Sequence, residues 1–169
     1  LKDGNKVIPS ITRLFPTRSQ HKISVMLHEM NQQVSSYIRG QILVAICVGI
    51  TFSIGYSIIG LPYGVTIGMI AGLLVIIPYI GSIIGLIIAM IIAFVTSPAI
   101  VLQVLTVFVI EQLIESRLLQ PLILGSSLKM HPVTILVILL AAGKMFGLTG
   151  LLIAVPVYAV VKVFVTHFF

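Results

Sequence analysis

Charged residues are almost absent from the middle of this sequence. No Asp, Glu, Lys, Arg or His occurs from Gly40 to Ile110, an uncharged run of 71 residues (110 − 40 + 1). Only 8% of the chain is charged, against about 25% in an ordinary soluble domain. So few charges could not cover a soluble core, and the run far exceeds the roughly 20 residues that cross a bilayer as a helix. The sequence therefore predicts an all-α, polytopic helical membrane protein.

Several catalytic and metal-binding signatures are also missing. Cys47 is the only cysteine, which excludes an intrachain disulfide. No Cys/His cluster has the spacing of a metal site, no G-x-x-x-x-G-K-[ST] phosphate loop is present, and no serine stands in a G-x-S-x-G turn. We expect neither an enzyme nor a resident cofactor or metal. The one exception that we expect is a coupling ion, either a proton or another cation.

The few charges are unevenly placed. Residues 1–39 carry six Lys or Arg against two acids, a net charge of +4, whereas the remaining 130 residues carry a net charge of +2. A basic segment can indicate nucleic acid, but beside so much apolar sequence the positive-inside rule explains it better. We expect residues 1–39 to lie in the cytoplasm, and no nucleic-acid partner.

Residues 17–39 have the pattern of an amphipathic helix outside the membrane core. Apolar residues recur at steps of three or four, and the opposite face is polar. Such a stripe can lie on lipid headgroups or pack on a neighbouring helix, and both alternatives stay open. The stripe consists of Ile23, Met26, Leu27, Met30, Val34 and Ile38.

Residues 40–169 divide into six apolar segments: 41–60, 62–77, 83–96, 98–120, 132–142 and 150–168. The second and third reach only about 24 and 21 Å as helices, short of the roughly 30 Å hydrocarbon core. They are either a re-entrant hairpin or two short spans. Gly64, Gly68 and Gly72 have the small-xxx-small spacing that lets helices approach closely.

Two interruptions separate the short segments. We expect Pro78–Ser82 and Gly143–Gly150 to be non-helical and shielded from lipid, because unpaired backbone groups in hydrocarbon are costly. The residues that we expect to shape these breaks are Pro78, Gly81, Gly143, Gly147 and Gly150. Paired interruptions of hydrophobic segments point to a transporter binding site.

The uncharged run ends at "IEQLIESRLLQP". Glu111 and Glu115 are four residues apart and share one helix face, with Gln112 and Arg117 beside them. In one interpretation the helix leaves the membrane here and the charges are solvated. In the other, the carboxylates line a polar cavity in the membrane and bind a proton, a cation or a polar solute. Glu111 lies deeper and is the better candidate for a group that is protonated during transport.

Longer stretches of the chain resemble the autoinducer-2 exporter family of bacterial membrane proteins. The resemblance extends from "LKDG" to about Lys162 and includes "YIRGQ", "IPYIGSIIG", "IEQLIESRLLQPLILG", "LKMHPVTIL" and "FGLTGLLIAVPVYAVVKV". It implies a family with about eight spans, of which this chain resembles the larger C-terminal part. It also implies multi-pass insertion in the bacterial inner membrane and homo-oligomeric assembly.

The resemblance implies transport without choosing one substrate. Some relatives are linked to export of the signal autoinducer-2 and others to Na⁺(Li⁺)/H⁺ antiport. We therefore expect a secondary transporter that exports a small polar signal or exchanges cations for protons. For export, Glu111, Glu115 and Gln112 or Gln120 supply hydrogen-bonding groups. The alternative from another class is a non-transporting membrane scaffold, whose charges would face solvent.

Overall fold

The computed structural model describes residues 17–124 and 132–168, and the side chains of 24–124, 133–158 and 160–161. These residues form helices and turns with no strand, which confirms the all-α fold class. The basic residues before Thr17 and the polar link at 125–131 lie outside the described part. The elements are α1 (Thr17–Ile58), α2 (Gly64–Leu74), α3 (Ile80–Thr96), α4 (Pro98–Ile114), a π-helical segment π1 (Glu115–Leu124) and α5 (Pro132–Phe168).

Long apolar helices make this a multi-pass membrane protein. Within the described residues, Ser24–Ile58 and Pro98–Leu124 are long and apolar enough to cross a bilayer, and Val133–Tyr158 is equally apolar but folds back at Gly147, as described below. The apolar surface supports this. A row of isoleucines at four-residue spacing along α1 is about half exposed, as expected of a face in contact with lipid. The row consists of Ile42, Ile46, Ile50 and Ile54.

The chain forms two compact units, residues 40–126 and residues 1–39 with 127–169. The division after residue 39 does not coincide with the end of a helix. α1 continues from Thr17 to Ile58 because nothing in "YIRGQ" breaks it. Glycine at position 40 allows close packing on Leu124, because a Cβ there would lie 2.8 Å from the Leu124 side chain.

In the unit of residues 40–126, α1 and α2 pack through glycine. Gly64 lies against the backbone of Tyr56, Gly68 against Ser53, and Gly72 against Gly49 and Ala45. A Cβ at any of the three glycines would overlap α1, so the small-xxx-small interpretation is confirmed. The Ser53 hydroxyl also donates to the Val65 carbonyl at 3.1 Å, which adds a polar link between the helices.

α2 and α3 form a helical hairpin whose tip is Val75–Tyr79. Gly85 lies against Ala71, and Gly81 lies against the carbonyl of Leu74, so the two arms are antiparallel. Pro78 lacks an N–H and disfavours helical backbone at the residue before it. The break therefore falls a few residues earlier than the expected Pro78–Ser82. Gly81 and Ser82 belong to the first turn of α3, where Gly81 permits the close approach of the arms.

The hairpin arms differ in length. α2 has 11 residues and α3 has 17, which correspond to about 16 and 26 Å. α2 is therefore too short to cross a hydrocarbon core of roughly 30 Å. The short α2 favours a re-entrant hairpin over two short spans, and both alternatives stay predictions.

A single residue reverses the chain between α3 and α4. Ser97 is extended (φ −169°, ψ 152°) and its side chain accepts from the Ile100 N–H, while Pro98 occupies the first turn of α4. α4 then packs on α1, where a Cβ at Gly55 would meet Val107. Phe52 stacks on Tyr56 at 5.2 Å and on Phe108 at 6.4 Å between ring centroids. These rings form part of the buried core of the unit.

π1 continues α4 with a wider winding. In a regular α-helix the ring of Pro121 would clash with the carbonyl four residues before it, and π1 contains this proline. π-helical turns are uncommon and occur frequently at functional sites. The winding also places residues five apart on one face, which matters for Glu115 below.

In the unit of residues 1–39 and 127–169, the amphipathic stripe of α1 packs on another helix. Met26 and Met30 are buried, and Leu27 and Val160 pack against them. This contact corresponds to the helix-docking alternative for residues 17–39. Ile23 belongs to the same stripe, but its side chain lies outside the described residues.

α5 folds back on itself at Gly147. This residue has φ 60° and ψ −140°, a conformation that glycine adopts without steric cost. Gly150 lies against the carbonyl of Ala142, and Gly143 lies against the side chain of Leu151. Residues eight apart would be about 12 Å apart in a straight helix, so these contacts require a reversal. The expected break over Gly143–Gly150 is thus reduced to one residue, because glycine at 147 is sufficient to turn the chain.

Candidate functional site

The two carboxylates that end the uncharged run are both buried. Glu111 and Glu115 are 2% and 4% exposed, and both lie within the membrane-span candidate Pro98–Leu124. Glu111 follows Pro98 by thirteen residues, which places it about 20 Å along the helix. The interpretation in which the helix leaves the membrane with solvated charges does not match this burial. Ionisable groups inside a membrane protein are rare and generally mark ion or solute pathways.

Most oxygen atoms of the pair have no hydrogen-bond partner. Gln120 Nε2 donates to Glu115 Oε1 at 3.0 Å, a contact that the five-residue spacing of π1 makes possible. Both oxygens of Glu111 and Oε2 of Glu115 have no hydrogen-bond partner among the described residues. An unpaired buried carboxylate is costly. A bound proton or cation would remove that cost.

Each carboxylate has a tyrosine within electrostatic range. Tyr56 of α1 interacts with Glu111, and Tyr79 at the hairpin tip interacts with Glu115. Tyr56 is fully buried and its hydroxyl has no hydrogen-bond partner in the described part of the chain. The pair is therefore surrounded by phenol groups as well as by apolar side chains.

The α3–α4 reversal sets the relative heights of these residues. Tyr79 precedes Ser97 by eighteen residues and Glu115 follows it by eighteen. Ser82 precedes Ser97 by fifteen residues and Glu111 follows it by fourteen. Because both helices rise by about 1.5 Å per residue, Ser82 lies at the level of Glu111. Ser82 is 1% exposed and its hydroxyl is also unpartnered among the described residues.

A polar contact holds the hairpin tip against α1. Gln41 Nε2 of α1 donates to the Val75 carbonyl, a group that the end of α2 leaves free, at 2.7 Å. Tyr79 has a positive φ of 62°, which is rare for a residue with a side chain. Strained backbone of this kind is concentrated at functional sites.

The other predicted site residues have different surroundings. Arg117 is exposed and Gln112 is half-buried. Arg117 follows Glu115 by two positions, so these side chains leave the helix on different faces. Gly143, Gly147 and Gly150 shape the separate α5 hairpin. The sequence analysis did not identify Tyr56, Ser82 or Gln41; the available signal was a lone polar residue in an apolar segment.

An apolar cleft lies elsewhere in the same unit. A cavity of about 470 Å³ between α1 and α2 is lined by apolar side chains, apart from Ser53. The Ser53 hydroxyl already donates to the carbonyls of Gly49 and Val65. The cleft therefore offers few groups to a charged or polar solute, and we place the candidate site at the glutamates.

The comparison with known proteins identifies the family of this chain. The family model described as AI-2E family transporter matches residues 1–169. The chain belongs to the AI-2E transporter family. Among AI-2E relatives, two candidate transport proteins of Bacillus subtilis (strain 168) are similar: YueF, 38% identical over 164 residues, and YrrI, 39% identical over 169 residues.

The chain spans less than half the length of these AI-2E relatives. The YueF match covers 97% of this chain and 44% of YueF, and the YrrI match covers 99% of this chain and 48% of YrrI. No solved structure matches the chain. The family resemblance noted from the sequence is thereby confirmed.

Proposed function

We propose that this chain forms the ion-binding part of a secondary transporter in the bacterial cytoplasmic membrane, and that Glu111 and Glu115 bind a proton or a monovalent cation in turn. The observation that carries the proposal is that three of their four carboxylate oxygens are buried without a hydrogen-bond partner among the described residues. A site that is charged when empty and neutralised when occupied can exchange H⁺ for Na⁺ or Li⁺. Cation–proton exchange is therefore the function that we favour.

Export of a small polar signal such as autoinducer-2 is the second candidate. The Gln120 amide and the free carboxylate oxygens could bind the hydroxyls of a polyol-like solute. Coupling of that export to protons would use the same glutamates. The scaffold alternative required solvent-facing charges, and the burial of both carboxylates argues against it.

Flux in proteoliposomes tests the proposal. The full-length protein is reconstituted with an internal pH-sensitive dye, and Na⁺ or Li⁺ is added outside. Glu111→Gln keeps the size and hydrogen-bonding capacity of the side chain but cannot release a proton. We expect it to abolish cation-driven proton flux and to leave insertion intact. Glu115→Gln should have a milder effect, because the amide can still pair with Gln120.

Glu29→Gln is the matched control, because it makes the same chemical change at an exposed residue of α1. We expect its flux to equal that of the wild type. Wild-type flux from Glu111→Gln would overturn the proposal. Flux of autoinducer-2 that depends on Glu111, in the absence of any Na⁺ or Li⁺ response, would select the second candidate.

Assembly and membrane identity belong to the same proposal. The resemblance to the family implies a homo-oligomer in the cytoplasmic membrane, with residues 1–39 on the cytoplasmic side. Cross-linking in native membranes checks the assembly, since only an oligomer gives a ladder of multiples of the single-chain mass.

A further inference from the structure

Five buried oxygen atoms in the unit of residues 40–126 have no hydrogen-bond partner in the described part of the chain. Three belong to Glu111 and Glu115, one is the Tyr56 hydroxyl and one is the Ser82 hydroxyl. Buried polar groups in folded proteins are nearly always hydrogen-bonded, so each exception requires a reason. Five exceptions in a unit with few polar residues indicate a common cause.

The two hydroxyls are not required for packing. Phenylalanine would fill the place of Tyr56 and keep its stacking on Phe52, and alanine would suit the first turn of α3 at Ser82. Burying a hydroxyl without a partner destabilises the fold relative to such apolar replacements. A bound ligand would account for their presence, because it would give both oxygens a partner.

Two observations relate the hydroxyls to the carboxylates. Tyr56 interacts electrostatically with Glu111, and its ring orientation is fixed by Phe52, which itself stacks on Phe108. Ser82 lies one residue from the level of Glu111 in the α3–α4 register. α3 and α4 are joined by the single residue Ser97, so this register has little freedom.

We infer that Tyr56 and Ser82 are ligands of the same ion site as Glu111 and Glu115, and that this site binds a partly dehydrated monovalent cation through oxygen alone. This inference rests on the proposed function and extends it from a pair of carboxylates to a four-residue shell. Carboxylate and hydroxyl oxygens are hard ligands, which suit Na⁺ or Li⁺ better than a soft transition metal. The second carboxylate retains a proton when the cation is bound, so the shell holds one cation and one proton.

In this site the hydroxyls bind only the cation, whereas the carboxylates bind either the cation or a proton. Protons bind to carboxylates and need no hydroxyl shell, whereas a dehydrated cation needs several oxygens to replace its water. Tyr56→Phe and Ser82→Ala should therefore weaken cation binding and leave proton binding at Glu111 in place. A purely structural role for the hydroxyls would give the reverse pattern, a change in stability without a change in cation affinity.

Thermal unfolding of the purified full-length protein in detergent tests this. NaCl or LiCl is titrated against choline chloride at constant ionic strength, and the unfolding midpoint is followed. We expect Na⁺ or Li⁺ to raise the midpoint of the wild type. In Tyr56→Phe and Ser82→Ala, the midpoint without cation should be unchanged or higher, because an unpaired hydroxyl has been removed. The cation concentration needed for half of the shift should rise about tenfold, which corresponds to the loss of one ligand contact.

Tyr63→Phe and Ser57→Ala are matched controls. Tyr63 is 78% exposed, and the Ser57 hydroxyl already donates to the Ser53 carbonyl at 2.6 Å. Both should titrate like the wild type. The inference is overturned if no monovalent cation stabilises the wild type, or if Tyr56→Phe and Ser82→Ala keep the wild-type cation midpoint. If Glu111→Gln loses flux while Tyr56→Phe and Ser82→Ala keep the wild-type cation midpoint, only this inference is overturned and the proposed function stands.

Discussion

Gln41 Nε2 donates a hydrogen bond of 2.7 Å to the carbonyl of Val75, thirty-four residues along the chain. Gln41 is 6% exposed and Val75 is fully buried, so the contact is made out of reach of water. It satisfies a carbonyl that the end of α2 leaves free, and it fixes the hairpin tip to α1. The tip carries Tyr79, so the same contact sets the distance between the hairpin and Glu115.

The first prediction removes this contact. Gln41→Leu keeps the approximate volume but leaves the Val75 carbonyl buried and unpaired. We expect the free energy of unfolding to fall by about 1–3 kcal/mol, the usual cost of an unsatisfied buried group. The measurement is the unfolding midpoint in detergent. Gln32→Leu, an exposed glutamine on the same helix, is the control and should have a small effect. Equal stability of Gln41→Leu and the wild type would show that the contact does not hold the tip.

The second prediction concerns the glycine contact between α1 and α2. Gly72→Val introduces two methyl groups where a Cβ alone already overlaps Gly49 and Ala45. Overpacking of this kind costs about 1–3 kcal/mol and separates the helices. Leu73→Val is the control, because Leu73 is 67% exposed on the same helix. A cysteine cross-link between α1 and α2 that forms in the control but not in Gly72→Val would show the separation directly.

The third prediction isolates backbone strain at Gly147. A Cβ at this position meets nothing within 4 Å, so any cost of Gly147→Ala comes from its φ of 60° and ψ of −140°. Residues with side chains in such regions cost about 1–3 kcal/mol each. Met145→Ala, at an exposed position two residues away, should be nearly neutral. If thermal unfolding finds the two variants equally stable, the reversal does not depend on glycine.

The fourth prediction concerns the membrane side of the amphipathic part of α1. His28 is exposed on its polar face, and the positive-inside rule places residues 1–39 in the cytoplasm. In a variant without Cys47, we expect His28→Cys to react with a membrane-impermeant thiol reagent only after the cells are opened. Reaction in intact cells would reverse the proposed topology.

The main architecture could be predicted from the sequence because it depends on composition and on the spacing of glycines within one segment. The 71-residue uncharged run required helices in a membrane, and the spacing of Gly64, Gly68 and Gly72 predicted a close helix–helix contact, which the structure shows between α1 and α2. The position of the first break could not be placed as well. Pro78 acts on the residues before it, and Gly81 is needed for a tertiary contact with Leu74, which sequence alone does not show.

The candidate site could be predicted only in part for a related reason. Glu111 and Glu115 were identifiable because charge is rare here and their spacing defines one helix face. Tyr56 and Ser82 were not, because their relevance depends on the register of α1, α3 and α4. Gln120 was identified by type, but its contact with Glu115 depends on π1, and the i→i+5 winding is not evident from "ESRLLQ".

The depth of Glu111 has an electrical consequence. A cation that binds about 20 Å along α4 has crossed part of the hydrocarbon, and with it part of the transmembrane voltage. One elementary charge that crosses the whole membrane gains or loses about 2.3 kcal/mol per 100 mV. Occupancy of Glu111 should therefore change with membrane potential even when the ion concentrations on both sides are equal. In an energised cell, the affinity of the site for the cation therefore depends on the membrane voltage.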